Sequence, residues 1–209
     1  MRRPSITKLT DESFTSFQPC FMEEVRKLLI RSPPKSCSLD PLSTFIQGEF
    51  LDELLPFICI VCNVYLQHGL LPESQKAAIV TPILKKHDLY PDNFKSYRPI
   101  SNLTFISKVI ERIVASQLTG YLQINRLLPG HPSAYRQGHS TDTALLKIFS
   151  DILDAADLAQ ETLLRLVDLS AAFDTVDCDI LLTRLQKPYG VGGTALGMPT
   201  PYRCCRHIH

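Results

Sequence analysis

The 209-residue sequence predicts an α+β fold, rich in helix, with a small and incomplete sheet. Three observations predict it. Apolar residues recur at helical spacing through five stretches: 21–31, 48–67, 102–123, 141–153 and 176–186. Two stretches, 76–84 and 162–169, read instead as strands, which is too few for a complete sheet. Pro- and Gly-bearing clusters, such as Ser32-Pro33-Pro34 and Leu128-Pro129-Gly130-His131-Pro132, separate the elements.

Each element follows from local chemistry. Residues 1–20 are polar and weakly patterned. Residues 21–31 put Val25, Leu28 and Leu29 on one helical face, and the double proline after Ser32 ends that helix. A loop passes through Asp40-Pro41. The helix over 48–67 stops at His68-Gly69, a natural C-terminal cap. Residues 76–84 are β-rich, and Pro82 marks an edge strand because it donates no ladder bond. Residues 87–101 read as loop, with Asp88, Pro91, Asp92, Asn93 and Pro99. Ser101 or Asn102 caps the next helix, whose seam is Leu103, Ile106, Val109, Ile110, Ile113 and Leu118. Ser140 or Thr141 caps another, carried by Leu145, Ile148, Phe149, Ile152 and Leu153. Residues 162–169 form the second strand. Asp174 or Thr175 caps the helix over 176–186, and no periodicity follows Gly190.

Bulk charge is +1 and names no partner, but its distribution is uneven. Residues 76–147 hold ten Lys and Arg against four acids, whereas 148–182 hold eight acids against Arg165 alone. Such a pattern suits either two solvated helix faces or a protein that grips phosphates with one part and cations with the next. Seven cysteines, and polar residues after Arg2-Arg3 in place of a secretory leader, point to reduced thiols in an intracellular protein, cytoplasmic or nuclear. Cys59 and Cys62 have metal-ligand spacing but lie inside an apolar helix, with no second matching pair. The run Cys204-Cys205-Arg206-His207-Ile208-His209 is a soft-ligand cluster at a terminus. The longest apolar run, 54–66, is broken by Pro56 and Asn63 and is shorter than the roughly 20 residues of a membrane span, so no membrane is expected.

The most telling stretch is 164–174, an apolar strand that ends by presenting Asp168, followed by a small-residue turn and a helix. Read alone, Asp168 is a strand-end acid capping a turn. Together with other segments it resembles the reverse transcriptases of non-LTR (LINE-class) retrotransposons. The matching pieces occur in that family's order: Leu39-Asp40-Pro41, Leu71-Pro72-Glu73 with Lys76-Ala77, and Val80 through Lys86. Next come Tyr97-Arg98-Pro99-Ile100-Ser101-Asn102-Leu103 with Ser107-Lys108-Val109-Ile110-Glu111-Arg112. Ser133-Ala134-Tyr135-Arg136 with His139-Ser140-Thr141, and Asp168 through Asp174, complete the series. The resemblance covers roughly residues 37–196.

It implies the fingers and the first part of the palm of a right-hand polymerase. On that reading 1–70 is an N-terminal helical extension, 71–160 a fingers-like segment, 161–190 the start of the palm and 191–209 an aberrant tail. The resemblance implies that Asp168 is catalytic and binds two Mg²⁺ ions, with the backbone carbonyl of Leu169 touching one. Two metals about 4 Å apart would stabilise the attacking and leaving oxygens of nucleotidyl transfer. It implies that Arg98 binds the nucleotide triphosphate with Lys85 or Lys86, since guanidinium and ammonium groups pair with phosphate oxygens. It implies that Phe173 gates the sugar, although the residues alone favour an ordinary core aromatic. It implies that Arg136 touches the template backbone. The partners so implied are an RNA template, a DNA primer and a deoxynucleotide triphosphate.

The sequence also departs from the pattern. A glycine-containing motif and an aromatic-Ala-Asp-Asp hairpin, both expected downstream, are absent from these residues, as is the usual endonuclease domain. Residues 197–209 resemble nothing in the family and read as out-of-frame or misjoined sequence. Pro132 stands where Gln is usual, Cys178 where His is common, and the chain has no Trp. Asp174, Asp177 and Asp179 sit too close to Asp168 in sequence to replace the missing pair. The expectation is therefore a truncated RNA-directed DNA polymerase fragment without activity. The alternatives are a non-catalytic nucleic-acid-binding remnant, or an unstable product with an unpaired strand edge at 162–169.

Overall fold

The computed structural model describes residues 7–31, 37–41, 44–69, 72–130, 136, 138–167 and 176–197. In chain order its elements are α1 (Met22–Ile30), α2 (Thr44–Glu49), α3 (Leu51–His68), α4 (Glu73–Lys76), β1 (Ala78–Leu84), β2 (Tyr97–Leu103), α5 (Phe105–Ile124), α6 (Thr141–Asp157), α7 (Cys178–Gln186) and α8 (Gly193–Gly197). Helix dominates and the described sheet is a single antiparallel pair, so the α+β, helix-rich class holds. The chain divides into two compact units, Met1–Tyr121 with Asp177–His209, and Leu122–Val176. Among the described residues no helix is long and apolar enough to cross a membrane.

The first unit surrounds one buried cluster. α1 begins where the Glu24 carboxylate accepts the Phe21 amide at 3.0 Å, satisfying a donor the helix leaves free, and it buries Val25 and Leu29. The helix expected over 48–67 is two helices, broken at Phe50, whose ψ of 34° leaves the helical range. α3 then buries Leu55, Ile58, Cys59, Cys62 and Leu66 along one stripe. It ends at Gly69, whose φ of 67° is the left-handed cap conformation. α5 adds Val109, Ile110 and Ile113. Leu66 and Ile110 are fully buried, and removing such a side chain from water stabilises by about 1.5–3 kcal/mol.

The polar, unpatterned N-terminal stretch is part of this core. Phe17 and Cys20 are buried, and Phe14 stacks on Tyr121 with ring centroids 5.1 Å apart. At Gln18 and Cys20 its backbone is satisfied by side-chain amides. Asn63 accepts the Cys20 amide at 2.8 Å and donates to its carbonyl at 3.0 Å. Gln117 does the same for Gln18, at 2.8 Å in both directions. Each carboxamide thus presents the donor and acceptor pair that a neighbouring strand would. The same stretch holds residues 190–195: Phe14 pairs in parallel with Val191, and Val191 and Ala195 are buried in the cluster. Residues 191–197 are therefore packed against the core, although the sequence shows no period there.

Three further expectations are corrected. Residues 97–101, expected as loop, and 102–103, expected at the start of a helix, form β2. The α5 cap is Thr104, whose hydroxyl accepts the Ser107 amide at 3.3 Å, because Ser101 and Asn102 belong to the strand. The α7 cap is Asp177, which accepts the amides of Asp179 and Ile180 at 2.9 and 3.0 Å, in place of Asp174 or Thr175.

In the second unit Ser140 and Thr143 cap α6 reciprocally, as expected. No α6 residue is buried, and Leu145, Leu146, Phe149 and Leu153 are exposed. The strand expected over 162–169 is not formed in its described part: residues 160–167 have no regular structure and Leu163 is 94% exposed. A strand satisfies its amides only through a neighbour, and no described strand lies beside this one.

Candidate nucleic-acid interface

The basic segment of the sequence becomes an antiparallel hairpin. β1 and β2 pair from Ala78↔Leu103 at the root to Leu84↔Tyr97 at the far end. The root is buried, while Thr81, Pro82 and Ile83 face solvent on one strand and Arg98, Pro99 and Ile100 on the other. Two prolines oppose each other, Pro82↔Pro99, without disrupting the pair. The Lys85 amide donates to the Ser96 carbonyl at 2.8 Å, which makes that position a hydrogen-bonded pair. Such pairs alternate, so Pro82 and Pro99 fall at a non-hydrogen-bonded position where both ring nitrogens point away from the partner.

The same parity sorts the cations. Arg98 lies opposite Ile83, and Lys85, whose amide continues the ladder to Ser96, shares their face; Lys86 follows in the bend beyond the strand. The Lys85 ammonium donates to the Lys95 carbonyl at 2.8 Å, which keeps it at the hairpin end. Lys85, Lys86, Lys95 and Arg98 are all exposed, and among the described residues no acid forms an ion pair with them. The loop between the strands also carries the exposed Asp88 and Asp92, and the remaining excess of positive charge favours a polyanion. Lys95 was not singled out in the sequence; its place in the basic segment was the available signal.

A polar knot anchors the root. The buried Thr104 hydroxyl lies 2.6 Å from Gln75 Oε1 and 2.8 Å from Ser107 Oγ. The Ser107 hydroxyl donates to the Gln75 carbonyl at 2.7 Å. Lys108 reaches back to Asn102 Oδ1 at 2.8 Å. Four elements, α4, β1, β2 and α5, converge here.

The remaining predicted residues are not brought to this hairpin by any described contact. The half-buried Arg136 donates to the Pro129 carbonyl of its own loop. Asp168, Leu169 and Phe173 lie outside the described residues. Asp177 is committed to its helix cap, and among the described residues no three His, Cys, Asp or Glu side chains gather to hold a metal ion.

Cys59 and Cys62 lie in the core, where the fold brings Cys20 to them. The Cys59 thiol donates to the Cys20 carbonyl at 3.3 Å and the Cys20 thiol to Asn63 Oδ1 at 3.3 Å. The hydrogen bond with Cys62, and then burial, push the Cys20 thiol far above the ordinary range. Burial, and then Cys20, raise Cys59. These are protonated packing groups, which explains the metal-like spacing without a metal.

Residues 83–188 match the family described as reverse transcriptase (RNA-dependent DNA polymerase). The chain is 29% identical over 188 residues to the probable RNA-directed DNA polymerase from transposon BS of Drosophila melanogaster, covering 88% of this chain and 19% of that protein. It is 30% identical over 169 residues to the corresponding protein from transposon X-element of the same fly, covering 79% and 18%. It is 26% identical over 156 residues to the RNA-directed DNA polymerase from mobile element jockey, also of that fly, covering 74% and 17%. The chain thus spans less than a fifth of the length of these curated relatives.

Proposed function

The chain belongs to the reverse transcriptase family, and from that premise we propose that it is the phosphate-gripping part of an RNA-directed DNA polymerase, the fingers and the first part of the palm. The observation that carries the reading is the hairpin. It has a buried root and an exposed end with four cations that no described acid neutralises. Its ligands are the backbone of an RNA template and DNA primer and the triphosphate of an incoming deoxynucleotide. Arg98 supplies a planar fork to phosphate oxygens, and Lys85 and Lys86 supply point charges. Arg136 touches template in this reading, and Phe173 lies beneath the sugar. Asp168, with the Leu169 carbonyl, would hold Mg²⁺, which when bound would stabilise charge on the reacting phosphate oxygens.

These 209 residues include one carboxylate assigned to the metals and no paired-Asp hairpin. We propose that a polypeptide of these residues binds nucleic acid without extending a primer. The second reading, a non-catalytic binding remnant, rests on the same hairpin and has the same binding behaviour. A primer-extension assay with Mg²⁺ or Mn²⁺ bears on activity: template-dependent incorporation that Asp168→Ala abolishes would overturn the claim of inactivity.

Binding is tested by fluorescence anisotropy of a labelled RNA–DNA hybrid at several salt concentrations. The expected result is tight binding at low salt that weakens steeply as salt rises. Each of Arg98→Ala, Lys85→Ala and Lys86→Ala should flatten the log–log salt slope by about 1. No binding at low salt, or slopes indifferent to all three substitutions, would remove the hairpin from the interface.

A further inference from the structure

We infer that Asp40 is a positioning residue for the basic hairpin: its carboxylate caps α5 from far upstream and so fixes the root from which Lys85, Lys86 and Arg98 project. The inference rests on the reading that these cations bind nucleic-acid phosphate. Asp40 Oδ1 accepts the Phe105 amide at 2.8 Å across 65 residues of sequence. Phe105 opens α5, and the first amides of a helix have no partner inside it. A carboxylate there also meets the positive end of the helix dipole. The hold is part of a compact turn: the Asp40 amide donates to the Cys37 carbonyl at 3.0 Å, and the buried Cys37 thiol donates to the Asn102 carbonyl at 3.5 Å. Asn102 is the penultimate residue of β2, and Thr104 alone separates β2 from α5. The turn at 37–40 therefore clasps both sides of the strand-to-helix junction, while Gln75 clasps it through Thr104 and Ser107. A shift of that junction moves the exposed arm of the hairpin as a lever. The other oxygen, Oδ2, is buried without a hydrogen-bond partner, so the cap is the carboxylate's one described task.

The sign of one substitution separates positioning from simple charge. Asp40 is an acid at the root, away from the cations of the hairpin end, and on charge alone its removal leaves polyanion binding unchanged or slightly stronger. As a positioning residue its removal weakens binding. The experiment titrates the 209-residue protein against a labelled RNA–DNA hybrid at low salt, with each variant well below its own melting temperature. Asp40→Ala should weaken binding about fivefold, the effect of losing one helix cap, and should speed amide exchange at Phe105 and along β2. Asp40→Asn, which keeps the Oδ1 acceptor, should stay within about twofold of the parent. Asp40→Glu keeps the charge but displaces the acceptor, so it should also weaken binding; it stands in if the alanine variant does not fold. Binding as tight as the parent's, or tighter, in Asp40→Ala or Asp40→Glu overturns the inference, provided Arg98→Ala weakens binding in parallel. If Arg98→Ala changes nothing, the hairpin reading itself fails and the inference falls with it.

Discussion

Gly190 is the position where the N-terminal stretch and the end of the first unit come closest. Its φ is 68°, and a Cβ built there would lie 2.3 Å from the Glu12 carbonyl oxygen and 3.1 Å from the Tyr121 hydroxyl. Gly190→Ala therefore meets two costs. The left-handed backbone costs about 1–2 kcal/mol for a residue with a side chain. The contact with Glu12 is to backbone, so residues 12–14 must move. That strains the Phe14 amide to Gly190 carbonyl bond of 2.9 Å and the Tyr121 hydroxyl to Glu12 carbonyl bond of 3.1 Å. Each such bond contributes about 1 kcal/mol net, so the expected loss is about 3–4 kcal/mol. Urea unfolding followed by tyrosine emission suits the measurement, because the chain has no Trp and both Tyr121 and Tyr189 lie at this junction. Gly120→Ala is the internal contrast: that glycine lies inside α5 with nothing within 4 Å, so alanine should stabilise by about 0.5–1 kcal/mol. A Gly190→Ala loss below about 1 kcal/mol, less than the two broken bonds alone, would refute the close approach.

Three other outcomes are expected. Asn63→Ala leaves the Cys20 amide without its partner and its carbonyl with the Cys59 thiol alone, and should cost about 2 kcal/mol in chemical unfolding; a neutral result would mean that water replaces the carboxamide. Asp177→Ala should lose about 1 kcal/mol of stability while leaving any effect of Mg²⁺ on the melting temperature unchanged, and loss of a Mg²⁺ effect would make Asp177 a ligand after all. The Cys20 thiol stays protonated in the folded chain but ionises near its ordinary value of 9.0 when unfolded, so its contribution is fully present below that pH and is lost as pH rises above it. Urea midpoints between about pH 8 and 10 should fall less steeply in Cys20→Ala than in the parent, and equal slopes would count against the buried thiol cluster.

Helices were legible because their signals are local. The Val109, Ile110 and Ile113 seam and the Ser140 cap were readable before any fold was known, and both stand. β2 was hidden by Pro99, which argues against a strand until its register is known; only the pairing puts it where its missing amide costs nothing. The N-terminal stretch was hidden for a different reason. Phe14, Phe17 and Cys20 follow neither period, because the stretch is held piecemeal: Phe14 bridges to residues 190–192, Gln18 pairs with the Gln117 carboxamide and Cys20 with that of Asn63. The α5 cap was misplaced because the residues that hold that junction, Asp40 and Gln75, come from distant segments. Of the residues that the resemblance singles out, Arg98, Lys85 and Lys86 share one hairpin. Asp168, Leu169 and Phe173 lie outside what the structure describes.

The two β-rich stretches differ in a way that bears on function. β1 finds its partner after one short connection, so the hairpin closes with sequence-near material and its cations are placed by this chain alone. Residues 162–167 have no described partner, and Leu163, Leu166 and Val167 are 94%, 84% and 72% exposed. A helix can form without a neighbour, as the fully capped but unburied α6 does, whereas a strand cannot. Asp168 follows directly on this stretch in the sequence and lies outside the described residues. On the proposed reading, phosphate binding depends on a self-contained element and catalysis depends on strands that the described residues do not supply. Binding without turnover is what the proposed reading expects of these residues.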